Sequence, residues 1–129
     1  MSERGYVLVV EDEPAMREML GWALEDEGIQ AELAVDGLEA LERATTYKPA
    51  LVVLDMGLPG LDGVGVGIAL RARYGAELPI LVVTAGGNAQ AKARRVGAFA
   101  YLHKPFDLAL FIAQVHRGLT STGPPGGLA

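Results

Sequence analysis

Cysteine is absent from this sequence, and histidine and tryptophan are scarce, with two and one residues respectively. Without cysteine the chain has neither disulfides nor thiolate metal ligands, which is compatible with the cytoplasm. The two histidines, His103 and His116, stand far from any metal-ligand pattern, so we expect both at the surface. The composition therefore argues against a disulfide-stabilised secreted domain and against a zinc site.

Positive charge is also in short supply. Eleven lysines and arginines stand against 16 aspartates and glutamates, which leaves a net charge of −5. DNA binding depends largely on neutralising phosphates, so this balance argues against direct nucleic acid binding by this domain. No apolar run reaches the roughly 18 residues that suggest a membrane span, and the first residues do not form a signal peptide. We expect a cytoplasmic protein without membrane contact.

Short apolar runs alternate with amphipathic stretches along the 129 residues. Residues 6–10, 51–54 and 80–83 are continuous apolar runs, and residues 30–35 and 99–102 are weaker candidates. Continuous runs of this kind are typical of parallel strands that are buried on both faces. The pattern predicts five strands.

The stretches between these strands have the features of helices. Pro14 suits the first turn of the first helix, and Gly28 can end it in a left-handed conformation. Asp36 followed by Glu39 resembles a capping arrangement for the second helix, and the last helix is expected to open near Asp107. The expected inward-facing side chains are Met16, Met19, Leu20, Ala23 and Leu24, then Leu41 and Ala44, and finally Leu108, Phe111, Ile112, Val115 and Leu119. Trp22 is expected in the core or lining a groove.

Two helices are predicted to be short, bent or mobile. The third contains Gly65 and Gly67, each of which costs about 1 kcal/mol relative to alanine in a helix interior. The fourth has only residues 88–96, roughly two turns, before Gly97. Residues 120–129, rich in glycine and proline, are expected to form a flexible tail or linker after a domain of residues 1–119.

Alternation of five strands with five helices predicts an α/β fold of the (βα)5 type. Right-handed crossovers then give a doubly wound, five-stranded parallel sheet of the flavodoxin-like kind. In such a sheet functional residues belong at the carboxyl ends of the strands.

Acidic residues stand at the ends of the first and third strands. Glu11 and Asp12 follow the first strand, and Asp55 follows the third. Three carboxylates in one pocket would repel each other unless a cation held them, and a hard divalent ion such as Mg²⁺ suits oxygen ligands. For Glu11 and Asp12, solvated loop charges or a helix cap at Asp12 are equally good interpretations.

Two further side chains at strand ends complete this candidate site. Lys104 follows the fifth strand, and it would supply a fixed ammonium if that strand lay beside the third. Together with Mg²⁺ it would balance the three carboxylates. Thr84 ends the fourth strand, where its hydroxyl can donate to a phosphoryl oxygen.

Four segments carry a resemblance to a known family: VLVVEDEP, LVVLDMGLPGLDG, LPILVVTA and GAFAYLHKPF, in this order. From about residue 5 to about residue 119 the sequence resembles the receiver domain of two-component response regulators, including chemotaxis regulators. The resemblance implies that Asp55 accepts a phosphoryl group, and that Asp12, Asp55 and the carbonyl of Gly57 bind Mg²⁺, or Mn²⁺ in its place. It also implies that Glu11 binds the metal directly or through water, and that Thr84 and Lys104 contact the phosphoryl oxygens. Tyr101 would change its rotamer on activation, and the Lys104–Pro105 bond would be cis.

The resemblance also implies partners and a mode of action. A sensor histidine kinase or phosphotransfer protein would be the donor, and an effector protein or fused output domain the recipient of the signal. The signal would pass through helix 4, strand 5 and helix 5, with a phosphorylation-linked dimer as one outcome. Apart from slow self-catalysed phosphotransfer and dephosphorylation, no enzymatic activity is expected.

Two other functions are less well supported by these residues. A phosphatase of the haloacid dehalogenase class would have a second aspartate two positions after the nucleophile, where this chain has Gly57, and a cap domain. An interaction module that has lost phosphorylation would not be expected to retain Glu11, Asp12, Asp55, Thr84 and Lys104. Gly86 and Gly87 do not form a phosphate-binding P-loop, since no lysine-hydroxyl pair follows them.

Overall fold

The computed structural model describes residues 5–120, in which five strands alternate with five helices. The strands are β1 (Val7–Val10), β2 (Ala31–Ala34), β3 (Leu51–Asp55), β4 (Ile80–Thr84) and β5 (Ala100–His103). The helices are α1 (Pro14–Asp26), α2 (Gly37–Thr46), α3 (Gly63–Tyr74), α4 (Ala89–Arg95) and α5 (Leu108–Thr120). None of these described helices is long and apolar enough to cross a membrane. The predicted tail lies outside the described residues, apart from Thr120, which ends α5.

All strand pairs are parallel, and the strand order is β2-β1-β3-β4-β5. This order confirms the predicted doubly wound sheet. The direction of winding reverses between β1 and β3, which is the point where α/β sheets of this kind bind ligands. The condition under which Lys104 was considered, a fifth strand beside the third, is not met, because β4 separates β3 from β5.

The apolar strands explain why helices cover both faces of the sheet. Alternate side chains of each strand point to opposite faces, so each strand contributes to two separate cores. One core packs against α2, α3 and α4, with Leu8, Leu54 and Val82 at its centre. The other core packs against α1 and α5 and includes Val9 and Val53. Each fully buried side chain of this size contributes about 1.5–3 kcal/mol from burial.

Helix ends follow most of the sequence signals. Pro14 is the first residue of α1, and Gly28 (φ +75°) follows its end in the left-handed region. Asp36 Oδ1 accepts a hydrogen bond from the Glu39 N–H at 2.9 Å and so caps α2. The helix-cap interpretation of Asp12 is wrong, because Glu13 is the N-cap residue of α1 and provides no side-chain cap.

Three apolar side chains expected inward lie at the surface instead. Met19 is 38% exposed and Trp22 is 65% exposed. Leu20 and Leu24 are the buried side chains of α1, and Trp22 lies about 200° around the helix from each of them, so it points to solvent. Leu108 is exposed at the first residue of α5, before the segment in which Phe111, Val115 and Gly118 are buried.

The third helix has 12 residues, so the expectation that it is short is wrong. Its glycines permit close packing: a Cβ atom at Gly67 would lie 2.5 Å from Val96 Cγ1, and one at Gly63 would lie 2.5 Å from the Asp55 carbonyl oxygen. The fourth helix is short, as predicted, with seven residues after Asn88 in a left-handed conformation.

Candidate functional site

The carboxylates at the ends of β1 and β3 come together at the carboxyl edge of the sheet. Val10 pairs with Leu54 in the sheet register, so the following residues, Glu11 and Asp55, are neighbours. Glu11 is 1% exposed and Asp55 is 4% exposed, whereas Asp12 lies on the surface. One carboxylate oxygen from each of the three lies within 4.8 Å of the others. Burial of Glu11 rules out its interpretation as a solvated loop charge.

Lys104 joins this acidic cluster from β5. Its Nζ atom lies 2.9 Å from Glu11 Oε1 and 3.5 Å from Asp55 Oδ2. The lysine backbone is anchored by an N–H that donates to the Thr84 carbonyl at 2.8 Å, and the Lys104–Pro105 peptide bond is cis, as expected. The length of the lysine side chain lets it reach past the end of β4.

Burial and charge shift the pKa values of the two most closely paired groups. Burial raises the pKa of Glu11; the Lys104 ammonium beside the carboxylate opposes this shift, and the charge of Asp55 adds to it. Burial alone would lower the pKa of Lys104, but its contacts with Glu11 and Asp55 outweigh burial and raise it. The lysine is therefore firmly protonated, and the cluster favours added positive charge.

Backbone groups of the two loops orient the carboxylates. The Gly57 N–H donates to Asp55 Oδ1 at 3.0 Å, and the Glu13 N–H donates to Glu11 Oε2 at 3.2 Å. Arg17 Nη1 donates to the carbonyl oxygens of Glu11, at 2.9 Å, and Asp12, at 3.3 Å. Arg17 was not singled out from the sequence, because only the fold brings the first turns of α1 back onto this loop.

The cluster has the properties of a site for a hard divalent cation. Glu11 Oε1 is fully buried and receives no hydrogen bond of normal geometry from residues 5–120, although the Lys104 ammonium is near. One oxygen of the same carboxylate lies within 4.8 Å of carboxylate oxygens of Asp12 and Asp55. Carboxylate oxygens at this spacing are the ligands that Mg²⁺ prefers, so the residues present fit this ion. Gly57 lies beside them in the loop that follows Asp55.

Of the remaining predicted residues, Thr84 lies at the same edge of the sheet, and Tyr101 is exposed in β5. Thr84 ends β4 and is buried, and its Oγ1 accepts a hydrogen bond from the Gly86 N–H at 3.1 Å. Tyr101 lies in β5 and is 42% exposed. Both histidines are exposed, as expected. The site thus combines a buried carboxylate, a lysine and a hydroxyl on three strand ends.

Comparisons with known proteins agree with this arrangement. The family model of the response regulator receiver domain matches residues 7–116. The chain is 42% identical over 123 residues to the response regulator MprA of Mycobacterium sp. (strain KMS), which covers 94% of this chain and 53% of that protein. The MprA of Mycobacterium leprae is 41% identical over 120 residues, with coverages of 92% and 52%. The chain thus spans about half the length of the curated relatives it matches.

Solved structures with the same fold include whole receiver domains. The receiver domain of NtrX from Brucella abortus has a TM-score of 0.83 and 33% identity, covering 89% of this chain and 98% of that one. The chemotaxis protein CheY4 of Vibrio cholerae has a TM-score of 0.82 and 30% identity, with the same two coverages. The sheet order, the residues at its carboxyl edge and these matches lead to one conclusion: the chain belongs to the response regulator receiver domain family of two-component systems.

Proposed function

We propose that this domain accepts a phosphoryl group on Asp55 from a sensor histidine kinase or a phosphotransfer protein, in a reaction that depends on Mg²⁺. The observation that carries the proposal is the position of Asp55. Its carboxylate is buried at the end of β3, one oxygen is held by the Gly57 N–H, and the other faces Lys104 at 3.5 Å. A fixed carboxylate beside a cation is suited to attack phosphorus.

The transfer requires little covalent chemistry from the protein. An Asp55 carboxylate oxygen attacks the phosphorus of a phosphohistidine, forming a P–O bond while the P–N bond breaks. The electron pair of that bond goes to the imidazole nitrogen. Lys104 and the Thr84 hydroxyl stabilise charge on the phosphoryl oxygens, so catalysis consists of positioning and electrostatics. A small donor such as acetyl phosphate serves in the same way.

The metal would be held by Asp12, Asp55 and the Gly57 carbonyl, with Glu11 bound directly or through water. When bound, Mg²⁺ neutralises the phosphoryl oxygens, and Mn²⁺ is an acceptable substitute. The exposed position of Asp12 lets the ion enter from solvent, while the buried Glu11 keeps negative charge at the bottom of the pocket.

Phosphorylation would then change the surface formed by α4, β5 and α5. The acyl phosphate places a charge of about −2 at the sheet edge, and Thr84 follows the new oxygens. Tyr101, which is half exposed, turns inward and alters the surface of α4, β5 and α5. An effector protein or a fused output domain reads this surface, with a phosphorylation-linked dimer as one form of output. We further propose cytoplasmic localisation and a receiver domain of residues 1–119, with residues 120–129 as a tail or linker, although Thr120 itself is the last residue of α5.

The acyl phosphate hydrolyses slowly in the same pocket, which gives the domain a slow self-dephosphorylating activity. We propose no other enzymatic activity.

Incubation with acetyl phosphate and Mg²⁺ tests the proposal. Intact mass should increase by one phosphoryl group, and EDTA or Asp55→Asn should prevent the increase. Asp62→Asn is the matched control, because Asp62 lies in the same loop and asparagine keeps its role as the N-cap of α3. Equal labelling of Asp55→Asn and the wild type would refute the assignment. No labelling of the wild type under any condition would favour a phosphorylation-independent interaction module.

A further inference from the structure

A space beside Gly86 separates the acidic cluster from α4. Gly86 has no side chain, and a Cβ atom placed there would lie 3.8 Å from Thr84 Oγ1 and 3.9 Å from Lys92 Nζ. The hydroxyl at the end of β4 and the ammonium of Lys92 therefore border the same small volume. A side chain at position 86 would fill it, but glycine leaves it open to the Lys92 side chain.

The positive charge of Lys92 is not neutralised by a carboxylate in the part of the chain that the structure describes. None of the ion pairs found among residues 5–120 involves Lys92. The side chain is partly buried, whereas the neighbouring Arg94 and Arg95 of α4 are exposed. A partly buried ammonium without a carboxylate partner, beside a hydroxyl, is a ready site for an anionic oxygen.

The charge balance of the proposed reaction calls for one more cation. Before phosphorylation, Glu11, Asp12 and Asp55 carry three negative charges, which Mg²⁺ and Lys104 match. Phosphorylation replaces the single charge of Asp55 by about two. One negative charge is then uncompensated.

We propose, on the basis of the proposed phosphorylation of Asp55, that Lys92 is a second phosphoryl-binding cation. Its ammonium contacts the phosphoryl oxygens from the α4 side, across the space that Gly86 leaves open, while Lys104 contacts them from the β5 side. Because Lys92 is part of α4, this contact links the phosphoryl group directly to the position of that helix. Phosphorylation would then affect the position of α4 through two residues, Thr84 and Lys92.

The test compares Lys92→Met with Arg95→Met. Both substitutions remove one positive charge from α4, but Arg95 is exposed and is not part of the proposed site. With acetyl phosphate below saturation and Mg²⁺ present, Lys92→Met should lower the initial rate of phosphorylation about two- to fivefold, the effect of losing one partly screened ion pair. Arg95→Met should keep the wild-type rate, and Lys92→Arg should retain most of it.

A second measurement follows the ammonium itself. In NMR spectra of the lysine side chains, beryllofluoride, an analogue of the phosphoryl group, should shift the Lys92 signal and slow its exchange with water. Equal rates for wild type, Lys92→Met and Arg95→Met, with an unshifted Lys92 signal, would overturn the role of Lys92. This result differs from failure of the proposed function, in which the wild type itself is not labelled and Asp55→Asn is indistinguishable from it.

Discussion

Lys104 Nζ lies 2.9 Å from Glu11 Oε1, although two strands separate β5 from β1 in the sheet. The ammonium is thus closer to Glu11 than to the proposed acceptor Asp55, which lies 3.5 Å away. A divalent ion bound near Glu11 would compete with Lys104 for this carboxylate. If such an ion were held there, the Lys104 ammonium would be available to the phosphoryl oxygens of the proposed reaction.

Metal binding should depend most on Asp12. The Asp12→Ala variant removes the exposed carboxylate of the cluster, and the affinity for Mg²⁺ should fall by at least about tenfold. Glu18→Ala, which removes an exposed carboxylate from α1, is the control and should bind normally. Isothermal titration calorimetry or NMR titration measures both. Unchanged affinity in the Asp12 variant would mean that the metal lies elsewhere.

Packing against Val96 should make Gly67 intolerant of a side chain. Gly67→Ala should lower the free energy of unfolding by about 1–3 kcal/mol, since its Cβ would overlap Val96 Cγ1. Gly65→Ala is the matched control: its Cβ meets the flexible tip of Leu61, and alanine favours a helix interior. Urea unfolding of both variants tests the difference. Equal stability of the two would show that close packing does not explain Gly67.

These glycines mark the limit of what the sequence predicted. Glu11, Asp55 and Thr84 were recognised as site residues because each follows an apolar run, and the ends of parallel strands share one edge. Gly67 looked like a defect in α3, since its contact with Val96 joins residues far apart in the chain. Lys92 was missed for a different reason: its neighbours Thr84 and Gly86 are close in the chain, but the direction of the short α4, which brings the ammonium toward Gly86, is not visible in the sequence pattern. Apolar type alone also placed Trp22 inward, whereas its angle around α1 turns it to solvent.

Residues 86–96 should be the least protected helical region in hydrogen exchange. The fourth helix has seven residues, and its own buried side chains are the small Ala89 and Ala93. Few apolar contacts and a short hydrogen-bonded segment favour local opening. Amide exchange measured by mass spectrometry tests this, with α1 as the internal reference. Protection in this region equal to that of α1 would contradict the prediction.

The lifetime of the acyl phosphate should depend on position 86. Hydrolysis needs a water in line with the bond to Asp55, and orientation of that water outweighs simple access. Gly86→Gln, which could hold the water, should speed loss of phosphate, and Gly86→Leu should slow it. Neither is strained, because the backbone there is not left-handed and the contacts are of ordinary length. The rates are measured from the decay of purified phosphoprotein. If both variants lose phosphate at the wild-type rate, position 86 does not control hydrolysis.

Chemical trapping can locate the phosphoryl group within the chain. Reduction of the phosphorylated protein with borohydride converts an acyl phosphate of aspartate into homoserine, which tandem mass spectrometry assigns to a position. If Asp55 is the acceptor, homoserine should be found at residue 55 after treatment with acetyl phosphate and Mg²⁺, and none should form when EDTA is present. Homoserine at Asp12 or Asp62, or labelling that does not yield homoserine at any position, would contradict this assignment.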